Sequence, residues 1–181
     1  MKNIITSLNH VVFLLSIMKN KNTMKKIILS AVVATMISLT AFADGGKKST
    51  TEVGEQNVSY TVLTQFKSDF ENASNVVWTV NSTAQKAAFT LNNVNYTAYY
   101  DSIGQYWGLA QNVAYPTVTA AIKKQIAKSY NGYDVKEVTR FEAQDGEEPV
   151  VYFINLKSAT SEVILTIAPS DGQIKNIDII K

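Results

Sequence analysis

Apolar side chains recur at helical spacing from Val62 onward. The period is four, four and three residues, which places these side chains on one side of a helix of about three turns. The residues on this stripe are Val62, Phe66, Phe70 and Ala73. We expect the fold to begin near Ser59. Residues 44–58 are polar, contain glycine and lack an apolar period, which predicts a flexible N-terminus.

An alternating pattern replaces the helical one after Asn75. Four short runs alternate apolar and polar residues, and the connections between them are rich in Asn, Ser and Gly, as hairpin turns require. The runs are residues 76–81, 86–91, 96–101 and 105–113. The pattern predicts a four-stranded antiparallel meander. The side chains expected to pack beneath the helix are Trp78, Phe89, Tyr96 and Tyr100.

The order of helix and strands then occurs a second time. Pro116 suits a first helical position, and Gly132 suits a helix C-terminal stop. Between them a four-residue period runs through Val118, Ile122, Ile126 and Tyr130. Four further strand-like runs are residues 133–144, 149–157, 162–168 and 173–180. The Ser170-Asp171-Gly172 segment predicts a turn before the last run.

The two halves correspond as an internal repeat. Phe70 corresponds to Tyr130 at an offset of 60 residues, and Gly104 corresponds to Gly172 at an offset of 68. We therefore expect one α+β domain over residues 59–181, a tandem repeat of helix plus four-stranded antiparallel meander (repeats 59–113 and 116–181). It would have about eight strands with both helices on one sheet face. The other face would then be free to bind a macromolecule or peptide.

The segment Met24–Ala43 has the pattern of a secretory signal peptide. Two lysines precede an apolar run, Ile27–Leu39, and Ala41-Phe42-Ala43 is a small-residue cleavage signal before Asp44. The run is shorter than the ~20 apolar residues of a membrane-spanning helix. The sequence therefore predicts a periplasmic or secreted protein with no membrane anchor in its mature form.

The first 23 residues carry a second, shorter apolar run. We interpret residues 1–23 as either a misannotated extension, with Met24 as the true start, or a long n-region beginning at Met1. Neither belongs to the predicted folded domain.

Removal of the leader would change the charge and the available chemistry. The full chain has a formal charge of +2 from 17 basic and 15 acidic residues. Five of the basic residues precede residue 44 and no acidic residue does, so the mature chain carries 12 minus 15, or −3. A nucleic-acid partner is therefore not expected. The chain has no cysteine and its one histidine, His10, lies in the leader. Ordinary Ser-His-Asp, Cys-His and zinc sites are thus excluded from the mature chain, and we expect no metal, no cofactor and no enzymatic activity.

Several motifs resemble a known family. The first is Phe66-x3-Phe70-x2-Ala73-x-x-Val76-x-Trp78. Further matching segments are Ala98-Tyr99-Tyr100-Asp101, Tyr115-Pro116-Thr117-Val118 and Tyr130-Asn131-Gly132-Tyr133. Together they are similar to small exported bacterial proteins of the PepSY-like, beta-lactamase-inhibitor-like type, across nearly all of residues 60–180. The resemblance implies tandem helix-plus-four-strand units and, by likeness of architecture, an inhibitor-like binding role.

Aromatic residues between Tyr96 and Trp107 are the candidate binding groups. Strand alternation places Tyr99 and Tyr100 on opposite faces of the sheet, and it does the same for Tyr106 and Trp107. We expect Tyr99 and one of Tyr106 or Trp107 to be exposed on the free face, where aromatic side chains are typical interface anchors. The alternative is cross-strand aromatic pairing that only stabilises the sheet.

Other functions rest on weaker signals. The acidic pairs Asp69 with Glu71 and Glu137 with Glu142 could serve a carboxylate-based hydrolase, which needs two carboxyl groups at a set separation. Residues 145–148 could supply calcium ligands but lack the spaced pattern of a dedicated site. A structural or envelope-stress protein without a discrete ligand site is the remaining alternative.

Overall fold

The computed structural model describes residues 52–145 and 148–180. The expected signal peptide at 24–43 and the segment 1–23 lie outside the described residues, as does the middle of the 145–148 loop. The described chain begins with a two-residue strand, β1 (Glu52–Val53), and a 3-10 turn (Glu55–Asn57). Regular structure therefore starts seven residues before Ser59.

Helix α1 runs from Tyr60 to Asp69. Ser59 caps it, because the Ser59 hydroxyl oxygen accepts a hydrogen bond from the Val62 backbone N–H at 3.3 Å. Val62 and Phe66 are the buried residues of the helix. The helix ends one turn before the expected limit at Ala73, so that Phe70 is its C-cap.

Helix α2 runs from Ala120 to Ser129 and buries Ile122 and Ile126. The expectation that Pro116 opens this helix is wrong. Pro116 instead lies in a separate 3-10 turn, Tyr115–Thr117, which tolerates proline at its start for the same reason, since the first N–H groups of any helical turn have no internal partner. Gly132 lies just beyond α2 with φ +87°, as a helix stop requires.

The nine strands of the described residues form one antiparallel sheet whose spatial order is the order along the chain. The strands after β1 are β2 (Ser74–Val80), β3 (Ala84–Leu91), β4 (Val94–Asp101), β5 (Tyr106–Asn112), β6 (Asp134–Ala143), β7 (Val150–Lys157), β8 (Glu162–Ile167) and β9 (Ile174–Ile179). Eight strands are of ordinary length, which agrees with the predicted number. The link between the halves is the pairing of β5 with β6.

Both helices pack on the same side of this sheet. The core beneath α1 contains side chains of β2, β3 and β4, namely Trp78, Ala87, Phe89, Ala98 and Tyr100. The core beneath α2 contains Val138 of β6, Tyr152, Ile154 and Leu156 of β7, and Val163, Leu165 and Ile167 of β8. The strand register shows that both cores lie on one face. Ala98 is opposite Leu109 and Leu109 is opposite Glu142, and residues directly opposite each other on paired strands lie on the same face. The α+β class is thus confirmed, and the tandem repeat stays a prediction.

The described helices are both short. Within residues 52–145 and 148–180, none is long and apolar enough to cross a membrane.

Candidate binding face

The central strands of the second half are apolar on both sides. Every side chain from Val151 to Leu156 is buried, and so is every one from Val163 to Ala168. An antiparallel sheet with one face in water alternates apolar and polar residues, whereas near-continuous buried runs are typical of strands covered on both faces. Neither α1 nor α2 packs on the second face, which we call the helix-free face. The side chains of these two strands on the helix-free face are buried, although neither α1 nor α2 covers them.

Three aromatic rings form a row across the helix-free face, here called the Tyr99 row. Tyr99 of β4 contacts Phe141 of β6, with ring centroids 6.0 Å apart and planes at 75°. Phe141 in turn contacts Phe153 of β7, also at 6.0 Å. The Tyr99–Phe141 contact is edge-to-face and the Phe141–Phe153 contact is tilted, and aromatic pairs of the edge-to-face kind are stabilised beyond the burial of area. The row therefore links β4, β6 and β7 through buried aromatic contacts.

Gly108 makes this row possible. It lies on β5 directly opposite Tyr99 in the strand register, between the strands that carry Tyr99 and Phe141. A Cβ atom at Gly108 would meet the Glu142 carbonyl oxygen and would come 2.7 Å from Cζ of Phe141. Because Gly108 has no side chain, the Phe141 ring can lie above it and contact Tyr99.

The expected exposure of the candidate aromatics is wrong. Tyr99 is 1% exposed and Trp107 is 9% exposed, and Tyr106 is half-buried. Tyr99 packs against Phe141 of β6, a contact between strands distant in sequence that alternation along β4 does not predict.

Simple alternation also fails between Tyr106 and Trp107. The register shifts here, since Tyr99 lies opposite Gly108 while Tyr100 lies opposite Tyr106, so that Trp107 is the extra residue of a β-bulge. The Tyr106 ring packs on Tyr100 at 5.3 Å, on the helix side. Trp107 belongs to neither of the two cores beneath the helices.

A cation lies beside the aromatic row. Lys86 of β3 is directly opposite Tyr99 on the helix-free face and is itself buried. Burial lowers the pKa of the Lys86 ammonium to about 8. Burial also raises the pKa of the Tyr99 hydroxyl, with a smaller contribution from the Glu137 carboxylate. An ammonium group in these surroundings destabilises the free domain, because desolvation disfavours its charged form.

Substitution of Lys86 by Met should therefore stabilise the protein at neutral pH. Because its pKa is lower in the folded chain, the wild-type free energy of unfolding should rise as pH increases from about 8 towards 10. Lys86→Met should add about 2 kcal/mol at pH 7 and abolish this rise. Urea titrations at pH 7 to 9.5 measure both effects.

The buried tyrosines do not affect stability between pH 7 and 9.5. Burial raises the pKa of Tyr99, Tyr100 and Tyr106. Above about pH 10 these hydroxyls keep their protons in the folded chain and lose them in the unfolded chain, so the free energy of unfolding falls. Lys124→Met, at an exposed position of α2, is the matched control and should change neither quantity. An unchanged pH dependence in Lys86→Met would contradict the assignment.

The other end of the helix-free face is polar. Asn112 Nδ2 donates to Glu137 Oε1 at 2.6 Å, and the Thr139 hydroxyl donates to Asn112 Oδ1 at 3.1 Å. On the neighbouring strands, Asn155 Nδ2 donates to Glu162 Oε1 at 3.0 Å. The face thus combines an aromatic region with ordered polar side chains, as interfaces commonly do.

The acidic pairs do not form a hydrolytic site. Glu137 pairs with Asn155 on the helix-free face, whereas Glu142 pairs with Leu109 on the helix side. The sheet itself separates these two carboxylates. Asp69 is the last residue of α1, and Glu71 lies exposed beyond its end. Within the described residues no three His, Cys, Asp or Glu side chains group as metal ligands.

Sequence reasoning missed Phe141, Phe153 and Gly108. Their signal is present in the chain, since the runs 133–144 and 149–157 carry apolar residues at both odd and even positions. Such runs favour strands that are covered on both faces. The role of Gly108 becomes visible only when β4, β5 and β6 lie side by side.

Comparison with known proteins identifies the fold. No protein-family model and no functionally curated protein matches the chain. A DUF2874 family protein from Bacteroides uniformis is 17% identical, with a TM-score of 0.61, over 68% of this chain and 90% of that one. A BLIP-like protein from Bacteroides fragilis is 14% identical, with a TM-score of 0.57, over 67% of this chain and 86% of that one.

A third solved structure has a similar fold. This candidate periplasmic protein from Bacteroides eggerthii is 15% identical, with a TM-score of 0.60, over 67% of this chain and 88% of that one. At these identities the likeness establishes a shared fold. The expected resemblance is thus confirmed as a BLIP-like fold, while none of the three proteins is described as PepSY-like or as an enzyme.

Proposed function

We propose that this chain is an exported, non-enzymatic binding protein that engages a protein or peptide through its helix-free face. The observation that carries the proposal is the Tyr99 row, a cluster of three aromatic rings on the side of the sheet that neither α1 nor α2 covers. The BLIP-like fold and the predicted signal peptide support the same role.

Within this proposal Tyr99 and Trp107 are the principal contacts. Tyr99 lies at the start of the aromatic row, and Trp107 lies in the bulge next to it. Tyr106 is the weaker candidate, because its ring packs on Tyr100 on the helix side. An inhibitor-like action on the partner is the finer form of the hypothesis.

Site-specific photocrosslinking tests which face contacts the partner. A benzophenone amino acid is placed at Thr97 or Thr139, which are half-buried positions of the helix-free face. The matched controls carry it at Lys124 or Tyr60, exposed on the helix side. After expression of the full chain and irradiation of the cells, a discrete crosslinked species is expected from the first pair alone.

The Tyr99→Ala, Trp107→Ala double variant completes the test. It should lose the crosslinked species. Because both side chains are buried, their removal also lowers stability, and circular dichroism measures whether the sheet remains folded. Crosslinking only from the helix side would overturn the proposed face. An absence of discrete crosslinks from all four positions would favour a structural or envelope-stress protein instead.

We also infer that the two helix–meander units are a tandem repeat. Two glycine contacts support this inference. A Cβ atom at Gly104 would lie 3.5 Å from Val62 at the start of α1, and one at Gly172 would lie 3.0 Å from Ala121 at the start of α2. The turn before the last strand of each unit thus approaches its helix in the same way. Equivalent close approaches are expected if both units descend from one ancestor.

A further inference from the structure

The last strand of the sheet has a free edge. Within the described residues β9 pairs with β8 alone. It is six residues long, whereas β1 at the opposite edge has two. Unpaired N–H and C=O groups at a sheet edge can bond to another chain, and short edges, proline and lysine commonly prevent this. β9 contains no proline, and its lysine, Lys175, is held by Asp171 of the preceding turn at 2.7 Å.

Two isoleucines of β9 are exposed beside this edge. Ile177 is 48% exposed and Ile179 is 78% exposed. They lie directly opposite Leu165 and Val163, which belong to the core beneath α2, so both isoleucines are on the helix side of the sheet. Their exposure shows that α2 leaves this part of the sheet open to solvent. An edge strand with exposed apolar side chains is prone to pair with another chain.

The backbone groups of the same two residues point away from β8. The Ile180 N–H donates to the Glu162 carbonyl oxygen at 2.8 Å, so residue 180 bonds to β8. Along an antiparallel strand, residues that bond to the neighbouring strand alternate with residues that do not. The N–H and C=O groups of Ile179 and Ile177 therefore lie on the free edge, where a further strand can bond to them.

The side chains of β9 are complementary to those of a second copy of the same strand. A two-fold axis perpendicular to the sheet at Ile177 places the Ile177 side chains of the two copies opposite each other. Asn176 of each copy then lies opposite Asp178 of the other, and its amide can donate to that carboxylate, as it does within one chain at 2.9 Å. An axis at Asp178 would oppose two carboxylates, which is destabilising. An axis at Asn176 would separate the two Ile177 side chains.

We propose that the protein forms a symmetric homodimer by antiparallel pairing of β9 with β9 of a second copy, centred on Ile177. The N–H and C=O groups of Ile177 bond to those of Ile177 in the second copy, and Ile179 bonds to Lys175 on either side, which gives about six backbone hydrogen bonds. The exposed isoleucines of both copies meet on the helix side. Because the two-fold axis is perpendicular to the sheet, both helix-free faces lie on the same side of one continuous sheet. This inference is independent of the proposed binding function.

Sedimentation equilibrium tests the dimer. Protein purified after expression of the full 181-residue chain should dimerise at or below about 100 µM, since one strand pair is smaller than a standard interface. Ile177→Lys places two like charges at the two-fold axis and should weaken dimerisation at least about tenfold. Ile103→Lys is the matched control, because Ile103 is 82% exposed in the turn between β4 and β5, and it should leave dimerisation unchanged.

Disulfide formation tests the register. The chain has no cysteine, so an introduced thiol has no competitor. In the proposed dimer Asn176 and Asp178 of different copies form a non-hydrogen-bonded pair with Cα atoms about 4.5 Å apart, within the range of a disulfide. An oxidised mixture of Asn176→Cys and Asp178→Cys should therefore contain a crosslinked dimer. Neither variant alone should crosslink, because its two cysteines lie diagonally, about 7 to 8 Å apart.

A charge exchange provides a rescue. Asn176→Asp places two carboxylates opposite each other across the axis and should weaken dimerisation about tenfold. The Asn176→Asp, Asp178→Asn double variant restores one carboxylate and one amide in each pair and should recover the wild-type dimer. Recovery depends on the pairing of these two positions, so a general loss of stability cannot imitate it.

Each contrary result overturns the inference. A wild-type chain that remains monomeric at about 100 µM excludes the dimer. A dimer that persists in Ile177→Lys has another interface. A disulfide from Asn176→Cys alone or Asp178→Cys alone, or none from their mixture, excludes the register centred on Ile177. None of these results changes the proposed function, which photocrosslinking of the helix-free face tests separately.

Discussion

Replacing Gly108 with alanine should destabilise the protein by about 3 to 5 kcal/mol, the largest loss we expect from adding one methyl group. The new Cβ would meet the Glu142 carbonyl oxygen on β6, which is backbone and cannot turn aside, and would come 2.7 Å from the Phe141 ring. Gly108 also has φ +152°, a conformation that residues with a side chain rarely adopt. The sheet would have to separate at the junction of β5 and β6, which joins the two halves.

Gly132→Ala is the matched control for Gly108→Ala. Gly132 also has positive φ, +87°, but a Cβ atom there would have no neighbour within 4 Å. Its substitution should therefore cost only the backbone strain, about 1 kcal/mol. Urea unfolding followed by tryptophan fluorescence and circular dichroism measures both variants. Equal losses at the two glycines would contradict the steric role assigned to Gly108.

Replacing Phe66 with alanine should lower the free energy of unfolding by about 3 to 5 kcal/mol. Phe66 is the central contact between α1 and the sheet. Its ring centroid lies 5.2 Å from that of Phe70, 5.1 Å from that of Trp78 and 5.1 Å from that of Phe89. Removing the ring leaves a cavity among three aromatic side chains that cannot collapse together, because Trp78 and Phe89 are fixed on paired strands.

Tyr60→Ala tests whether this loss is specific to the core. Tyr60 is on the same helix but is 84% exposed, so its removal should change stability by less than about 0.5 kcal/mol. Calorimetric melting distinguishes the variants, and Phe66→Ala should lower the melting temperature by roughly 10 °C or more. A small effect of Phe66→Ala would show that α1 contributes little to the fold.

The predicted strands agree closely with the observed ones because local chemistry determines them. The run 96–101 alternates cleanly, and β4 spans Val94–Asp101. The predicted core of the first half is also confirmed, since Trp78, Phe89 and Tyr100 are buried beneath α1 and Tyr96 packs beside them. Amphipathic period and turn residues act over a few positions, so they can be read along the chain.

The candidate site could be predicted only in part. Alternation along β4 predicts that Tyr99 lies on the side of the sheet away from Tyr100, and Tyr99 does lie on the helix-free face. Its burial and its contact with Phe141 depend on a residue 42 positions later in the chain, and on Gly108 between them. The bulge at Trp107 shifts the register by one residue, and no property of residues 105–107 alone fixes where that shift occurs.

The sequence by itself determined the α+β class, the positions of two helices and eight strands, and the lack of histidine and cysteine after the predicted leader. These follow from periodicity, turn chemistry and residue inventory, which are local or compositional. Only the tertiary structure decided which side chains share the helix-free face, that Glu137 and Glu142 are separated by the sheet, and that Asn155 Oδ1 and Thr166 Oγ1 have no hydrogen-bond partner within the described chain. Those facts depend on the register between strands distant in sequence, and a shift of one residue would move every side chain of a strand to the other face.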